Sequence, residues 1–209
     1  MSKLFIFDLD GTILNTIEDI HISLMETLIY FNFPLFDINT TKRYVGDGVK
    51  KLVERAVGEK NFKKEHEVYF RDCYRKNLVN NTKLYDGMED LLSNLKECFT
   101  IVVLSNKSFD MTDILIKHFN LNRYIKYWFG GDSFEEKKPS PYPIYKILEL
   151  TGFSPENSYM IGDNYTDIES GKAAGSKTVF CSYGYGKLSS VKPDYIADST
   201  HELKKILEG

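Results

Sequence analysis

Apolar residues along the chain follow two kinds of pattern, and the change between them divides the sequence. From about residue 16 to residue 80 they recur every three or four positions, as in amphipathic helices. The helices predicted there cover 16–31, about 49–57 and about 62–78, and Thr16 with Asp19 resembles a capping box at the start of the first. From residue 84 onwards, short apolar runs alternate with helical patterns, which indicates a parallel sheet with helices on both faces.

The first strand of this sheet is predicted far ahead of the others, at Lys3–Phe7. Later strands are predicted at 100–104, 127–129, 158–161 and 177–181, with helices at about 88–96, 109–119, 141–150 and 165–174. An all-helical segment therefore interrupts the sheet in sequence. We expect an α/β fold with a Rossmann-like parallel sheet formed by residues 1–15 and 82–209, into which a helical domain, residues 16–81, is inserted.

Composition excludes several classes of function. The 209 residues carry a net charge of −3, which offers no general attraction to nucleic acid or to an anionic membrane. No apolar run approaches the roughly 20 residues that a membrane helix needs, and the residues ahead of the first aspartate are too few for a signal peptide. Three scattered cysteines form no CxxC pair, so we expect a cytoplasmic protein with unpaired thiols.

Two aspartates directly follow the first strand, in the segment Asp8-Leu9-Asp10-Gly11-Thr12. Two carboxylates about 4 Å apart repel each other by roughly 4 kcal/mol at an effective dielectric constant near 20. Such a pair has little structural use, but it suits a site that holds a divalent cation and attacks a phosphorus atom. The segment therefore indicates phosphoryl transfer through an aspartyl-phosphate.

Three later strand ends also carry polar residues. Ser105 and Asn106 follow the second predicted strand, Lys138 follows the third, and Asp163 and Asp167 follow the fourth. Ligands of open α/β sheets bind at the carboxyl ends of the strands. We therefore expect these side chains to converge with the aspartate pair if the strands are neighbours.

In this order the motifs resemble those of the haloacid dehalogenase superfamily of phosphohydrolases. They are DLDGT at 8–12, LSN at 104–106, KP at 138–139 and GDNYTD at 162–167, and the match spans residues 4 to about 186. The first motif is fairly specific, whereas LSN or KP alone carries little weight. The resemblance implies a haloacid dehalogenase-like core, with the helical insert forming a cap over the active site.

The resemblance also implies a role for each motif residue. Asp8 would be the nucleophile, and Asp10 would protonate the leaving alcohol and later activate water. Lys138 would neutralise the phosphate and the intermediate. Ser105 would donate a hydrogen bond to the phosphoryl oxygens, helped by backbone N–H groups near Leu9 and Asn106, with Gly11 and Thr12 as further phosphate-binding candidates. Mg²⁺, a hard ion that prefers oxygen ligands, would be held by Asp8, the backbone carbonyl of Asp10 and Asp163, with Asp167 reaching it through water or orienting Lys138.

The segment that opens the second cap helix resembles the glycine-containing substrate loop of phosphoglycolate phosphatases. Gly46, Asp47 and Gly48 are therefore candidate substrate contacts, although a plain turn at the start of a helix explains them too. Arg43, just before the loop, could meet a substrate carboxylate or could simply be solvated.

Asp10 narrows the reaction, because relatives that cleave carbon–halogen or carbon–phosphorus bonds lack an acid at that position. The resemblance implies a Mg²⁺-dependent phosphatase that acts on a small phosphorylated metabolite, with phosphoglycolate as the best single guess. The alternatives are a sugar phosphomutase of the β-phosphoglucomutase type, a pyrophosphatase or a nucleotidase. A non-enzymatic phosphate-responsive protein is disfavoured, because Asp8, Asp10 and Lys138 are all present. Either a monomer or a homodimer fits the sequence.

Overall fold

The computed structural model describes residues 2–209, so Met1 of the predicted core lies outside the described residues. The strands are β1 (Leu4–Phe7), β2 (Leu14–Asn15), β3 (Lys83–Leu84), β4 (Thr100–Leu104), β5 (Tyr127–Phe129), β6 (Ser158–Gly162), β7 (Lys177–Cys181) and β8 (Tyr195–Ala197). The α-helices are α1 (Ile17–Tyr30), α2 (Ile38–Tyr44), α3 (Val49–Val57), α4 (Lys64–Asn77), α5 (Met88–Lys96), α6 (Phe109–His118), α7 (Tyr142–Thr151), α8 (Tyr165–Ala174) and α9 (Thr200–Glu208).

Six of the strands form one parallel sheet in the order β5-β4-β1-β6-β7-β8. The first strand of the chain lies in the middle of this sheet, where Phe7 is paired with Val103 of β4 on one side and with Ile161 of β6 on the other. The carboxyl ends of these three strands are therefore level with one another. The predicted α/β fold is confirmed.

The sheet is covered on both faces, because successive side chains of a strand point to opposite sides. Leu4 and Ile6 of β1 belong to an apolar cluster that also contains Ile144 and Ile147 of α7. Phe5 and Phe7 belong to a second, larger cluster that includes buried side chains of α5, α6 and α9 and continues into α1, α3 and α4. Four consecutive buried apolar residues are typical of a strand that lies between two helical layers.

Several elements were not predicted, because their sequences show no clear apolar pattern. Helix α2 has one buried residue, Thr41, and therefore no apolar stripe; its start is fixed by Asp37, whose carboxylate accepts a hydrogen bond from the Thr40 backbone N–H at 2.9 Å. Strands β2 and β3, two residues each, pair as an antiparallel ribbon. β2 lies just before the predicted start of the helical domain, and β3 lies just after its predicted end. The ribbon shows that the two connections run side by side, while the division into core and cap stays a prediction. Strand β8 and helix α9 also lay outside the sequence prediction.

Among residues 2–209, no helix combines the length with the apolar character that crossing a membrane requires.

The predicted capping box of Thr16 and Asp19 is wrong, because both side chains have other partners. Thr16 donates its hydroxyl hydrogen to Asp10 Oδ1 at 2.7 Å and makes no capping hydrogen bond. The fully buried Asp19 carboxylate accepts hydrogen bonds from the backbone N–H groups and side chains of Asn81 and Thr82, at 2.7 to 3.0 Å. Asp19 therefore joins the start of the helical segment to its end.

We expect Asp19→Ala to lower the free energy of unfolding by about 2–4 kcal/mol, because it leaves several buried donors without an acceptor. Urea unfolding followed by circular dichroism measures the loss. Glu18→Ala on the same helix, where the side chain is exposed, is the matched control and should change stability by less than about 0.5 kcal/mol. Equal effects of the two substitutions would contradict the assigned role of Asp19.

Candidate active site

One buried lysine, Lys138 of the third motif, contacts residues of the other three motifs. The Lys138 ammonium lies 2.7 Å from Asp8 Oδ1 and 2.6 Å from Asp167 Oδ1, and it donates to the Leu104 carbonyl oxygen at 2.6 Å. Its side chain is 1 % exposed, so water does not screen these contacts. An ammonium has three N–H donors, and these three acceptors use all of them.

Three carboxylates form a buried acidic cluster beside this lysine. Asp8, Asp163 and Asp167 each offer an oxygen within 4.8 Å of the other two. Burial raises the pKa of Asp8 to about 7; Lys138 opposes this, while Asp167 and Asp10 add to it. Burial, together with Asp8 and Asp167, likewise raises the pKa of Asp163 well above its usual range. Burial alone would lower the pKa of Lys138, but Asp167 and Asp8 raise it overall.

These residues fit a divalent cation. Three buried carboxylates face one ammonium, and the raised pKa values of Asp8 and Asp163 show that the site favours additional positive charge. An all-oxygen donor set of this kind is what Mg²⁺ prefers. The carboxylate of Asp10 lies outside the cluster, so its side chain is not one of the grouped ligands, and its backbone carbonyl stays a predicted one.

The segment from Tyr183 to Gly186 positions Asp163. The backbone N–H groups of Tyr185 and Gly186 donate to Asp163 Oδ2 at 3.0 and 2.8 Å. Sequence analysis missed this role, although the Tyr-Gly-Tyr-Gly repeat just after β7 marks the place. The two hydrogen bonds hold the carboxylate in one orientation toward the acidic cluster.

The Asp10 carboxylate has a separate set of partners. It accepts a hydrogen bond from Thr16 at Oδ1, and its Oδ2 lies 3.2 Å from the ammonium of Lys107. Lys107 is 6 % exposed and contacts the Tyr74 hydroxyl of α4 at 2.5 Å. Burial lowers the pKa of Lys107, and Asp10 opposes that shift. Sequence analysis missed Lys107, whose one signal is its position directly after Ser105-Asn106.

Asn106 connects the core to the loop that opens α3. Its side-chain amide donates to the carbonyl oxygens of Gly46 at 3.0 Å and Lys138 at 2.9 Å. Ser105, 2 % exposed, lies beside it at the wall of the cavity that contains Asp8. The structure therefore brings Ser105 and Asn106 of the second motif to the same cavity as Asp8.

Three predicted phosphate-binding residues of the first motif, Leu9, Gly11 and Thr12, do not line this cavity. Leu9 and Thr12 are fully buried. The Thr12 hydroxyl is buried and has no hydrogen-bond partner in the part of the chain that the structure describes. Gly11, at φ +83°, packs directly against the Asp163 carboxylate.

The four predicted substrate contacts of the cap divide into two groups. Gly46 and Gly48 line the cavity. The Asp47 carboxylate instead lies 2.5 Å from Arg55 and accepts a hydrogen bond from the Tyr165 hydroxyl. Arg43 is exposed and donates to the Thr40 hydroxyl at 2.8 Å; both Arg43 and Asp47 line a separate surface pocket.

The cavity between the helical insert and the sheet is small, about 60 Å³. Its core side carries Asp8, Asp10, Ser105, Lys107, Lys138 and Asp163. The opposite wall is apolar and is formed by Ile20, Val45, Val49, Leu52 and Phe70 from the insert. The arrangement places three aspartates and two lysines in a confined space that the insert covers.

Comparisons with known proteins indicate one family. The family model for haloacid dehalogenase-like hydrolases matches residues 5–181. A phosphoglycolate phosphatase from Aquifex aeolicus is 37% identical over 207 residues, covering 99% of this chain and 97% of the other. One from Haemophilus influenzae is 32% identical over 219 residues, covering 98% of each.

A similar solved structure is that of a predicted phosphoglycolate phosphatase from Haemophilus somnus, with a TM-score of 0.91 and 30% identity. It covers 99% of this chain, and this chain covers 98% of it.

We expect Gly11→Ala to destabilise the fold far more than Gly152→Ala does. Both glycines have a positive φ, but a Cβ on Gly11 would lie 2.1 Å from Asp163 Oδ2, whereas nothing lies within 4 Å of one on Gly152. Gly152→Ala should cost about 1–2 kcal/mol from backbone strain, and Gly11→Ala about 1–3 kcal/mol more from the collision. Urea unfolding of both variants measures the difference. Equal losses would contradict the prediction, because they would show that the Asp163 side chain can move away from the added Cβ without a cost in stability.

Proposed function

The chain belongs to the haloacid dehalogenase-like hydrolases, and we propose on that basis that it is a Mg²⁺-dependent phosphatase of a small phosphate monoester. The observation that carries the proposal is the Asp8–Lys138–Asp167 ion-pair chain beside Asp163, at the wall of a covered cavity that also contains Asp10. Phosphoglycolate is the first substrate to test, because relatives that match nearly the whole chain are named for it.

The size of the cavity supports a short leaving group. Its volume of about 60 Å³ is far below the roughly 300–1,000 Å³ of a pocket for a drug-sized ligand. The apolar wall of the insert provides no run of polar groups for the hydroxyls of a hexose. A two-carbon leaving group therefore suits this space better than a sugar or a nucleoside.

In the first half of the reaction, a carboxylate oxygen of Asp8 attacks phosphorus and the bond from phosphorus to the ester oxygen breaks. Asp10 donates its proton to that oxygen, so that the leaving group departs as an alcohol. The phosphoryl group is then bound to Asp8 as an aspartyl-phosphate. Lys107 and Thr16 hold the Asp10 carboxyl at the side of the cavity where this transfer takes place.

In the second half, Asp10 takes a proton from a water molecule whose oxygen attacks phosphorus. The bond between phosphorus and Asp8 breaks, which releases inorganic phosphate and restores the carboxylate. Lys138 keeps Asp8 in place through both halves and offsets negative charge on the phosphoryl oxygens. Ser105 is positioned to donate a hydrogen bond to those oxygens.

Asp8, Asp163 and Asp167 would hold Mg²⁺, together with the Asp10 backbone carbonyl. When bound, the ion supplies positive charge that neutralises the phosphoryl oxygens and orients them.

A phosphate-release assay with Mg²⁺ tests the proposal on phosphoglycolate, β-glucose 1-phosphate, pyrophosphate and a nucleoside monophosphate. We expect kcat/KM for phosphoglycolate to exceed the others by about tenfold or more, a difference of about 1.4 kcal/mol in transition-state binding. Conversion of β-glucose 1-phosphate to the 6-phosphate would indicate a mutase instead. A flat profile would indicate a general phosphatase.

Asp8→Asn is the control for the assigned nucleophile, and it should abolish phosphate release. Its melting temperature should be unchanged or higher, because burial raises the pKa of Asp8 to about 7 and so disfavours the ionised carboxylate in the fold. Asp90→Asn removes an exposed carboxylate from α5 and should keep full activity. Substantial activity in Asp8→Asn would rule out Asp8 as the nucleophile.

We expect Mg²⁺ to raise the melting temperature of the metal-free protein, because an ion that binds the folded state alone stabilises it. At 100 times the dissociation constant the gain is about 2.7 kcal/mol, or about 5–10 °C for a chain of this length. Asp163→Asn should lose most of the shift, whereas Asp90→Asn should keep it. A shift of the same size in Asp163→Asn would contradict the assigned metal site, whatever the activity.

A further inference from the structure

Lys107 is a buried cation to which the proposed reaction gives no contact with the substrate. Its ammonium lies 3.2 Å from Asp10 Oδ2, 2.5 Å from the Tyr74 hydroxyl and 4.2 Å from the centre of the Tyr74 ring. Burying an ammonium is costly unless it has close partners. The lysine is therefore held in a defined place at the wall of the cavity, between the assigned acid and helix α4.

Lys107 still has a donor to offer to a ligand. Its ammonium has three N–H groups, and within residues 2–209 the structure gives it two close polar partners, Asp10 and Tyr74. Lys138, the other described cation at the cavity wall, already has three acceptors. Arg43, the cation that the sequence offered for a substrate carboxylate, lies outside the cavity.

The place of Lys107 beside Asp10 sets the kind of leaving group that it can contact. Asp10 is the residue assigned to protonate the ester oxygen, so a group next to Asp10 meets the leaving group close to that oxygen. In the ester of a short 2-hydroxy acid, a single carbon separates the ester oxygen from the carboxylate. A carboxylate enclosed by the apolar wall of the insert needs a cationic partner at just this distance from the acid.

We propose that Lys107, with the Tyr74 hydroxyl, binds a carboxylate on the leaving group and so makes the enzyme selective for phosphate esters of short hydroxy acids. The proposal rests on the phosphatase function above and specifies its substrate class. Lys107 thereby acts as a specificity residue that contacts substrate. A residue that only positioned Asp10 would affect every ester to the same extent.

The test compares two substrates on each enzyme: phosphoglycolate and its carboxamide analogue, in which a neutral amide of similar shape replaces the carboxylate. The wild-type enzyme should prefer phosphoglycolate in kcat/KM. In Lys107→Met this preference should fall by about 10- to 100-fold, which corresponds to the loss of one charge-assisted hydrogen bond. Equal losses on both substrates would overturn the proposal, because they would show that Lys107 acts through Asp10.

Two further variants complete the comparison. Tyr74→Phe keeps the ring and removes the hydroxyl, so it should lower the preference by several-fold; if Lys107→Met does not fold, an unchanged preference in Tyr74→Phe overturns the proposal. Lys117→Met is the matched control, since Lys117 lies at the far end of α6, is exposed and pairs with Asp113 at 2.8 Å. Its preference should equal that of the wild-type enzyme.

The wild-type results separate this proposal from the proposed function. Phosphate release from both esters at equal kcat/KM would overturn the carboxylate site and leave the phosphatase intact. No release from any phosphate ester would overturn the phosphatase itself.

Discussion

The arrangement of the site depends on one ammonium held between two buried carboxylates. Lys138 comes from the loop that follows β5, Asp8 from the end of β1 and Asp167 from the first turn of α8, and their charged atoms lie within 2.7 Å. Removing Lys138 would leave two buried carboxylates without their counter-charge, which costs several kcal/mol. The contact therefore requires the strands of the sheet to keep their register, and the same register aligns the ends that carry the other motif residues.

The two carboxylates assigned to catalysis, Asp8 and Asp10, each pair with a different lysine. Asp8 shares Lys138 with the acidic cluster, where burial and neighbouring carboxylates raise the pKa of Asp8. The Asp10 carboxylate instead pairs with the Lys107 ammonium and accepts a hydrogen bond from the Thr16 hydroxyl. Two carboxylates from one short segment thus meet different surroundings, which is the condition under which neighbouring acids take up different roles. The helical insert contributes to this difference, because Tyr74 of α4 contacts Lys107.

The insert also covers the site, because its loop between α2 and α3 is hydrogen-bonded to residues of the core. Asn106 donates to the Gly46 carbonyl oxygen, Lys137 donates to the Asp47 carbonyl oxygen at 2.7 Å, and the Tyr165 hydroxyl donates to the Asp47 carboxylate. Two of these three contacts involve backbone atoms of a loop whose sequence alone allowed an ordinary turn. They place the apolar wall of the insert opposite Asp8, Asp10 and Lys138, with a cavity of about 60 Å³ between them.

Apolar periodicity and the order of the motifs, which are visible in the chain without its fold, predicted the parallel sheet and the family. They also predicted that Asp8, Ser105, Lys138 and Asp163 converge, on the condition that their strands are neighbours. Local patterns could not predict α2, which has no apolar stripe, nor β2 and β3, which are too short to show a period. The partners of Asp19 lie 62 and 63 residues further along the chain, and Lys107 contacts Tyr74 of the insert, 33 residues before it. Such contacts form only when packing has brought distant segments together and excluded water from between them.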